Sequence, residues 1–236
     1  MFVTGGASGI GAEIVRAFIR NKSKVAFVDI LDSDGEALAA ETGALFLNCD
    51  ITDIPAMRAS IDVVKTRLGP IGVLVNNAAN DDRHAIDAVT EDYWDRSLDI
   101  NLKPQFFAAQ AVRSHMQELG GGSIINFSSI AWRGGADNMP VYATAKSATH
   151  GLTRALARGF GDDNIRVNAI EPGAVITERQ KRLWFADQAA IDFVVSRQTI
   201  KRELYGDEIA RTVLFLASDD SRMITKQAIT VDAGLR

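Results

Sequence analysis

The feature that most constrains the fold is a short apolar strand that runs into a glycine-rich loop and then into an amphipathic helix. Phe2-Val3-Thr4 forms the strand, residues 5–11 read Gly-Gly-Ala-Ser-Gly-Ile-Gly, and the helix is predicted over about residues 9–22. Without Cβ atoms the loop can approach a pyrophosphate closely, and the helix N-terminus offers free N–H groups. We therefore predict a dinucleotide site. The G-x-x-x-G-x-G spacing differs from the commoner G-x-G-x-x-G, and a glycine-rich turn without a ligand is the alternative.

Strands alternate with helices along the whole chain of 236 residues. After the first strand, further strands are predicted at residues 25–29, 45–48, 71–75, 123–127, 165–170 and 228–231. This alternation predicts an α/β fold: a single doubly wound Rossmann-type domain over residues 1–236, with about seven parallel strands and helices on both faces. Ligands of such sheets bind beyond the carboxyl ends of the strands, so we expect the site there.

Composition excludes several classes of function. The net charge of −4 shows no basic excess, which argues against a nucleic-acid partner. No apolar run approaches the roughly 18 residues of a membrane span, and the first residues lack the anatomy of a signal peptide. The single cysteine, Cys49, fits a cytoplasmic location. The three histidines, His84, His115 and His150, lack metal-ligand spacing, so no metal site is expected.

Asp29 closes the second predicted strand, 18 residues after Gly11. A carboxylate at this position would hydrogen-bond the adenosine ribose diol and repel a 2′-phosphate. The sequence therefore favours NAD over NADP as the cofactor. The alternative is an aspartate that caps a helix or holds a loop.

Tyr142 and Lys146 are four residues apart on a predicted helix, so their side chains lie on one face. A phenol has an ordinary pKa of about 10 and is a poor base at neutral pH. An ammonium nearby would stabilise the phenolate and lower that pKa, which would give a working base. A surface lysine beside an interfacial tyrosine is the alternative.

Further motifs stand in a fixed order with this pair, and with them the chain resembles the short-chain dehydrogenase/reductase family over essentially its whole length. The matching residues are Thr4-Gly-x-x-x-Gly9-x-Gly11, Asn76-Asn77-Ala78-Ala79, Asn101, Ser129, Tyr142-x-x-x-Lys146 and Pro172-Gly173. Ala79 departs from the glycine that many members have at that position.

The resemblance implies a catalytic tetrad of Asn101, Ser129, Tyr142 and Lys146. Tyr142 would take the substrate hydroxyl proton, Ser129 would hold the substrate oxygen, Lys146 would bind the nicotinamide ribose, and Asn101 would anchor a water. It also implies NAD-binding residues at Gly5, Ser8, Gly9, Ile10, Gly11, Asp29, Ile30, Asp50, Ile51, Asn77, Ala78, Tyr142, Lys146, Pro172, Gly173, Val175 and Thr177.

A narrower resemblance is to bacterial aldose 1-dehydrogenases of the D-xylose and D-galactose type, which oxidise a pyranose at C1 to a lactone. It rests on residues 80–84 (Asn-Asp-Asp-Arg-His), residues 126–132 (Asn-Phe-Ser-Ser-Ile-Ala-Trp) and residues 177–180 (Thr-Glu-Arg-Gln) with Trp184. Arg133-Gly134 differs from those enzymes. We expect the sugar to contact Asn80, Ser129, Trp132 and Tyr142. Residues 81–84 are interpreted mainly as a solvated ion-pair network that braces their loop.

Two expectations concern mobility and assembly. Residues 177–201 are long for an α/β connection and mix charges with aromatic side chains, so we expect a lid over the substrate. The family resemblance implies a homotetramer. Small residues on the Tyr142 helix, beside Phe106, Phe107 and Met116, would let a symmetry mate approach closely.

Two other functions stay open. One is a ketoreductase or secondary alcohol dehydrogenase for a non-sugar compound, usually linked to NADPH; the absence of a basic residue beside Asp29 argues against that cofactor. The other is a non-enzymatic NAD-binding protein, for which a broken tetrad would be expected.

Overall fold

The computed structural model describes residues 1–185 and 187–236. Within them, seven parallel strands form one sheet in the order β3-β2-β1-β4-β5-β6-β7. The strands are β1 (Phe2–Thr4), β2 (Ala26–Asp29), β3 (Leu45–Asn48), β4 (Val73–Asn76), β5 (Gly122–Phe127), β6 (Ile165–Pro172) and β7 (Ala228–Val231). Strand numbers decrease from β3 to β1 and then increase from β4 to β7, so the direction of the strand order changes between β1 and β4. This order confirms the predicted Rossmann-type sheet.

The helices cover both faces of the sheet. They are α1 (Gly9–Arg20), α2 (Asp32–Thr42), α3 (Ile54–Leu68), α4 (Glu91–Asn101), α5 (Lys103–Glu118), α6 (Pro140–Phe160), α7 (Glu178–Leu183), α8 (Gln188–Arg197) and α9 (Gly206–Ala217). Two helices begin at side-chain caps: Asp53 accepts from the Ala56 N–H at 2.9 Å, and Thr90 accepts from the Tyr93 N–H at 3.1 Å.

The core has two layers because neighbouring strand residues point to opposite faces. Val3 packs with the apolar faces of α1 and α9, whereas Phe2 packs with α3, α5 and α6. Both residues are fully buried, which is why the strand sequences are continuous apolar runs rather than alternating ones. Met116 belongs to the second layer and is fully buried, so the expectation that it lies at a subunit surface was wrong.

The segment expected to form a lid contains α7 and α8, which follow the carboxyl end of β6. Thr177 caps α7 by accepting from the Gln180 N–H at 3.2 Å, and Asp187 caps α8 by accepting from the Ala190 N–H at 2.9 Å. Among the described residues, no helix combines the length and apolar character needed to cross a membrane.

Candidate active site

A cleft of about 840 Å³ lies at the carboxyl ends of the strands. Every residue expected to bind NAD lines it: Gly5, Ser8, Gly9, Ile10, Gly11, Asp29, Ile30, Asp50, Ile51, Asn77, Ala78, Tyr142, Lys146, Pro172, Gly173, Val175 and Thr177. Asn80 and Ser129 line the same cleft, whereas Asn101 and Trp132 are outside its lining. The sheet therefore brings together residues that are far apart in sequence.

The glycine loop is shaped to bring main chain close to a ligand. A Cβ on Gly11 would lie 1.9 Å from the Gly5 carbonyl oxygen, so only glycine fits there. The Asn77 amide donates to the carbonyls of Gly5 (2.8 Å) and Thr4 (3.1 Å), which ties the end of β4 to the loop. Ser8 makes no side-chain capping bond to α1 among the described residues. The first N–H groups of α1 thus suit a pyrophosphate.

Asp29 lines the cleft beside the glycine loop. One of its carboxylate oxygens accepts from the Ala7 N–H at 3.0 Å, and the other accepts from the N–H groups of Ile30 (2.8 Å) and Leu31 (3.2 Å). The carboxylate therefore braces both the glycine loop and the turn after β2. Since an ionised carboxylate has about four acceptor positions, it also retains capacity for a ribose hydroxyl.

Lys146 lies at the base of the cleft and is 1% exposed. Its Nζ donates to the Phe127 carbonyl oxygen at 2.9 Å and lies 5.4 Å from the centroid of the Tyr142 ring. Burial lowers the pKa of the Lys146 ammonium to about 7, against a smaller opposing effect of Asp81.

The phenol of Tyr142 differs from the sequence expectation. Burial raises the pKa of Tyr142, and the Asp81 carboxylate adds to the rise; Ser129 and Arg179 act in the opposite direction. The predicted net lowering of the Tyr142 pKa was therefore wrong. The physical reason is that burial penalises both charges: the phenolate is disfavoured, and the ammonium itself begins to lose its proton near neutral pH.

Ser129 and Asn101 are placed differently from each other. The Ser129 Oγ accepts from the Ala131 N–H at 3.2 Å, which leaves its own proton free to donate into the cleft. The Asn101 amide is buried, and both its donor positions are used, by the carbonyls of Asn80 and Ser97 at 3.0 Å each. Its Oδ1 accepts from the Asn80 N–H at 2.9 Å. The Asn101 side chain thus fixes the loop after β4, and its amide protons are not available to anchor a water.

The family model described as Enoyl-(Acyl carrier protein) reductase matches residues 5–236. The chain belongs to the short-chain dehydrogenase/reductase family. A Rhizobium meliloti (strain 1021) protein named "Probable galactose dehydrogenase GalD" is 50% identical over 100% of this chain and 94% of its own length. A D-xylose 1-dehydrogenase of Caulobacter vibrioides (strain NA1000 / CB15N) is 41% identical over 99% of this chain and 94% of its own length.

One similar solved structure holds a nicotinamide cofactor. A blue fluorescent protein from a metagenomic library, solved in complex with NADPH, is 33% identical to this short-chain dehydrogenase/reductase and has a TM-score of 0.90. The alignment covers 99% of this chain and 96% of that one. The chain is therefore an oxidoreductase that acts on CH–OH groups of a small molecule with a nicotinamide cofactor.

Trp132 of this short-chain dehydrogenase/reductase does not border the cleft, contrary to expectation. Its Nε1 donates to Glu171 at 2.8 Å, and its ring packs edge-on against His150 with centroids 4.9 Å apart. The Glu171 side chain is fully buried and also accepts from Arg133 (3.0 Å) and Thr230 (2.8 Å). Burial tends to raise the pKa of Glu171, but the hydrogen bonds of Arg133, Thr230 and Trp132 outweigh it and lower that pKa. A buried carboxylate needs such donors, and this need turns Trp132 away from the cleft.

The loop after β4 forms the ion-pair network that was expected, with partners in α7. Asp81 pairs with Arg179 and accepts from the Gln180 amide at 2.8 Å. The Asn80 Oδ1 accepts from Arg179 at 3.0 Å, and the Arg83 guanidinium lies 3.9 Å from the centroid of the Trp184 ring.

Three of these residues, Asp81, Arg179 and Gln180, line the cleft, although sequence reasoning gave them no role in the site. The signal available was the pairing of an acidic run after β4 with Arg179 and Gln180 after β6. Both segments follow strand ends at the same edge of the sheet.

Proposed function

We propose that this short-chain dehydrogenase/reductase is an NAD-dependent aldose 1-dehydrogenase that oxidises an aldopyranose at C1 to an aldonolactone. The observation that carries the proposal is the polar wall of the cleft. Asn80, Asp81, Arg179 and Gln180 line the same cavity as Ser129 and Tyr142. A substrate with many hydroxyl groups can use the hydrogen-bond positions that these side chains still offer, whereas an acyl chain would leave those positions unused. The names of the relatives that are 50% and 41% identical support the same substrate class.

The chain's own groups account for binding and proton transfer. The glycine loop and the first turn of α1 would hold the pyrophosphate, and Asp29 the adenosine ribose. Bound NAD would supply the hydride acceptor for C1. Ser129 would donate to the C1 oxygen, and Tyr142 would remove its proton as the carbon–oxygen double bond forms. Lys146 would bind the nicotinamide ribose, and its remaining charge near neutral pH would favour the phenolate of Tyr142.

The substrate proposal is tested by a panel of aldoses, polyols, hydroxyacids and simple ketones with NAD, followed at the absorbance of NADH. We expect turnover of D-xylose or D-galactose, with a lactone as the product detected before its hydrolysis. Good turnover of a ketone or hydroxyacid without turnover of any aldose would replace this proposal by a ketoreductase or secondary alcohol dehydrogenase.

The cofactor is proposed to be NAD because Asp29 would meet the 2′-phosphate of NADP with like charge. Since such a juxtaposition costs several kcal/mol, we expect kcat/KM for NAD to exceed that for NADP by about 10²- to 10³-fold. Asp29→Ala should narrow this ratio at least tenfold. The matched control is Asp32→Ala, a nearby acid outside the cleft lining, which should leave the ratio unchanged. Equal kcat/KM values for both cofactors in the unsubstituted enzyme would contradict the prediction.

We also propose that residues 177–201 act as a lid, supported by the contribution of Thr177, Arg179 and Gln180 to the cleft. The lid would exclude water once cofactor and substrate are bound.

A homotetramer is proposed through α6. Small side chains form an exposed stripe on this helix, at Thr144, Ser147, Ala148, Gly151 and Ala155. Light scattering at micromolar concentration should give four times the mass of the chain. Ala148→Arg should lower that mass, and Ala37→Arg on the exposed face of α2 should not. A monomeric mass for the unsubstituted protein would refute the assembly.

A further inference from the structure

The Asp81 carboxylate joins two separate walls of the cleft. Asp81 follows β4, whereas its partners Arg179 and Gln180 lie on α7, almost 100 residues further along the chain. Arg179 binds one carboxylate oxygen and the Gln180 Nε2 binds the other, at 2.8 Å. Two contacts from two side chains fix the plane of the carboxylate, so its remaining lone pairs have a defined direction.

The carboxylate of Asp81 has unused acceptor capacity. An ionised carboxylate can accept about four hydrogen bonds, and the two bonds from α7 use about half of that number. The side chain is 19% exposed and lines the cleft that Ser129 and Tyr142 also line.

Asn80, which sequence reasoning assigned to the sugar, is engaged elsewhere. Its Oδ1 accepts from Arg179 at 3.0 Å, and its Nδ2 donates to Asp82 at 2.7 Å. The Asn80 side chain therefore holds the loop, whereas Asp81 keeps acceptor positions for a ligand at this wall of the cleft.

The Asp81–Arg179 pair also acts on the pKa of the Tyr142 phenol. Asp81 acts to raise the pKa of Tyr142, and Arg179 acts to lower it. A substrate-binding carboxylate without Arg179 would oppose the phenolate that takes the substrate proton. The ion pair thus allows an acceptor of hydroxyl protons to lie near Tyr142 at a reduced electrostatic cost.

We propose that Asp81, oriented by Arg179 and Gln180, is the substrate-binding and specificity-determining residue that accepts hydrogen bonds from ring hydroxyls near the oxidised carbon. The inference rests on the proposed function and deepens it, because it assigns recognition of a polyhydroxylated substrate to one carboxylate. Arg179 and Gln180 are positioning residues for it.

The test compares the wild-type enzyme, Asp81→Asn and the control Asp87→Asn. Asp87 is an exposed acid that follows the same strand, and it is not part of the cleft lining. The measurement is kcat/KM for the better of D-xylose and D-galactose and for its singly deoxygenated analogues. Binding of NADH to each variant reports that it is folded. Asp81→Glu, which retains the charge for Arg179 and displaces the oxygens, is the second variant if Asp81→Asn does not fold.

In the wild type, removal of one hydroxyl should lower kcat/KM by about ten- to a hundredfold, the range for a hydrogen bond to a charged group. With the parent sugar, Asp81→Asn should lower kcat/KM by a similar factor. With that analogue the variant should lower kcat/KM little further, because the hydrogen bond is already absent from the analogue. Asp87→Asn should keep the wild-type dependence.

Two results would overturn the inference. Equal factors of loss for the parent and every deoxy analogue in the Asp81 variants would show a general structural role. Wild-type values in those variants would show that Asp81 does not contribute to substrate recognition. Either result leaves the aldose activity standing. Absence of turnover of every aldose by the wild-type enzyme would instead remove the proposed function, and the inference with it.

Discussion

Replacement of Tyr142 by phenylalanine is expected to lower kcat by about 10²- to 10⁴-fold, the usual contribution of a positioned acid or base. The phenol lines the cleft with Ser129, and burial raises its pKa, so it is protonated in the free protein at neutral pH. In the proposed reaction it must first release that proton to solvent and then, as the phenolate, accept the substrate proton as the hydride leaves. Among the described residues of the cleft lining, no other hydroxyl lies on the same face of α6 as Lys146. Phenylalanine keeps the ring and removes only the proton-transferring oxygen.

Two measurements separate chemistry from folding. NADH binding to Tyr142→Phe should stay within a few fold of wild type, because the glycine loop and Asp29 are untouched. Tyr205→Phe is the matched control: this phenol is exposed and hydrogen-bonded to Glu203, outside the cleft lining. It should keep wild-type kcat. A kcat for Tyr142→Phe within tenfold of wild type would exclude Tyr142 as the proton acceptor.

Lys146→Met is expected to stabilise the free protein while it removes activity. The folded pKa of Lys146 is about 7, and its ordinary value is 10.5. Between these values the unfolded chain binds more protons, so the Lys146 contribution makes the free energy of unfolding rise with pH from about 7 to about 10.5. Below pH 7 the full cost of burying the ammonium is present. Removing it should stabilise by about 4 kcal/mol at pH 6, after the lost hydrogen bond to Phe127 is subtracted.

The measurement is urea unfolding of both proteins from pH 6 to pH 10. The stability difference between variant and wild type should shrink as pH rises through this window, which isolates Lys146 from other titrating groups. Lys24→Met replaces an exposed lysine and should give a difference independent of pH. Parallel curves for Lys146→Met and wild type would show that the lysine is not destabilised by burial. The same variant should turn over no substrate, because the stabilising change removes the ammonium beside Tyr142.

The sequence predicted the residues at strand ends well because a parallel sheet places every carboxyl end at one edge. Asp29, Asn77, Ser129 and Pro172-Gly173 needed only the strand boundaries to be assigned to one cleft. The glycine loop could be predicted equally well, because its backbone geometry follows from the residue types themselves.

Side-chain partners were less predictable where a buried charge decides them. The Trp132 side chain donates to Glu171, which is 39 residues further along the chain and also accepts from Arg133 and Thr230. The Asn101 amide donates to the main-chain carbonyls of Asn80 and Ser97. The Asn80 side-chain oxygen accepts from Arg179. The phenol pKa was misjudged because the spacing of Tyr142 and Lys146 reveals their proximity but not the burial that disfavours both charges. Met116 was misassigned because an apolar residue on a helix gives no sign of which neighbour covers it.

The bond between Asn77 and the glycine loop has a consequence for how the protein is made. Gly5 is synthesised before Asn77, and the Asn77 amide that binds its carbonyl oxygen follows 72 residues later. A nascent chain that ends within α3 contains every residue of the loop but lacks the strand that orders it, so dinucleotide cannot assist the first stage of folding. Completion of the cofactor site therefore has to wait for β4, and until then β1 lacks one of its two partner strands.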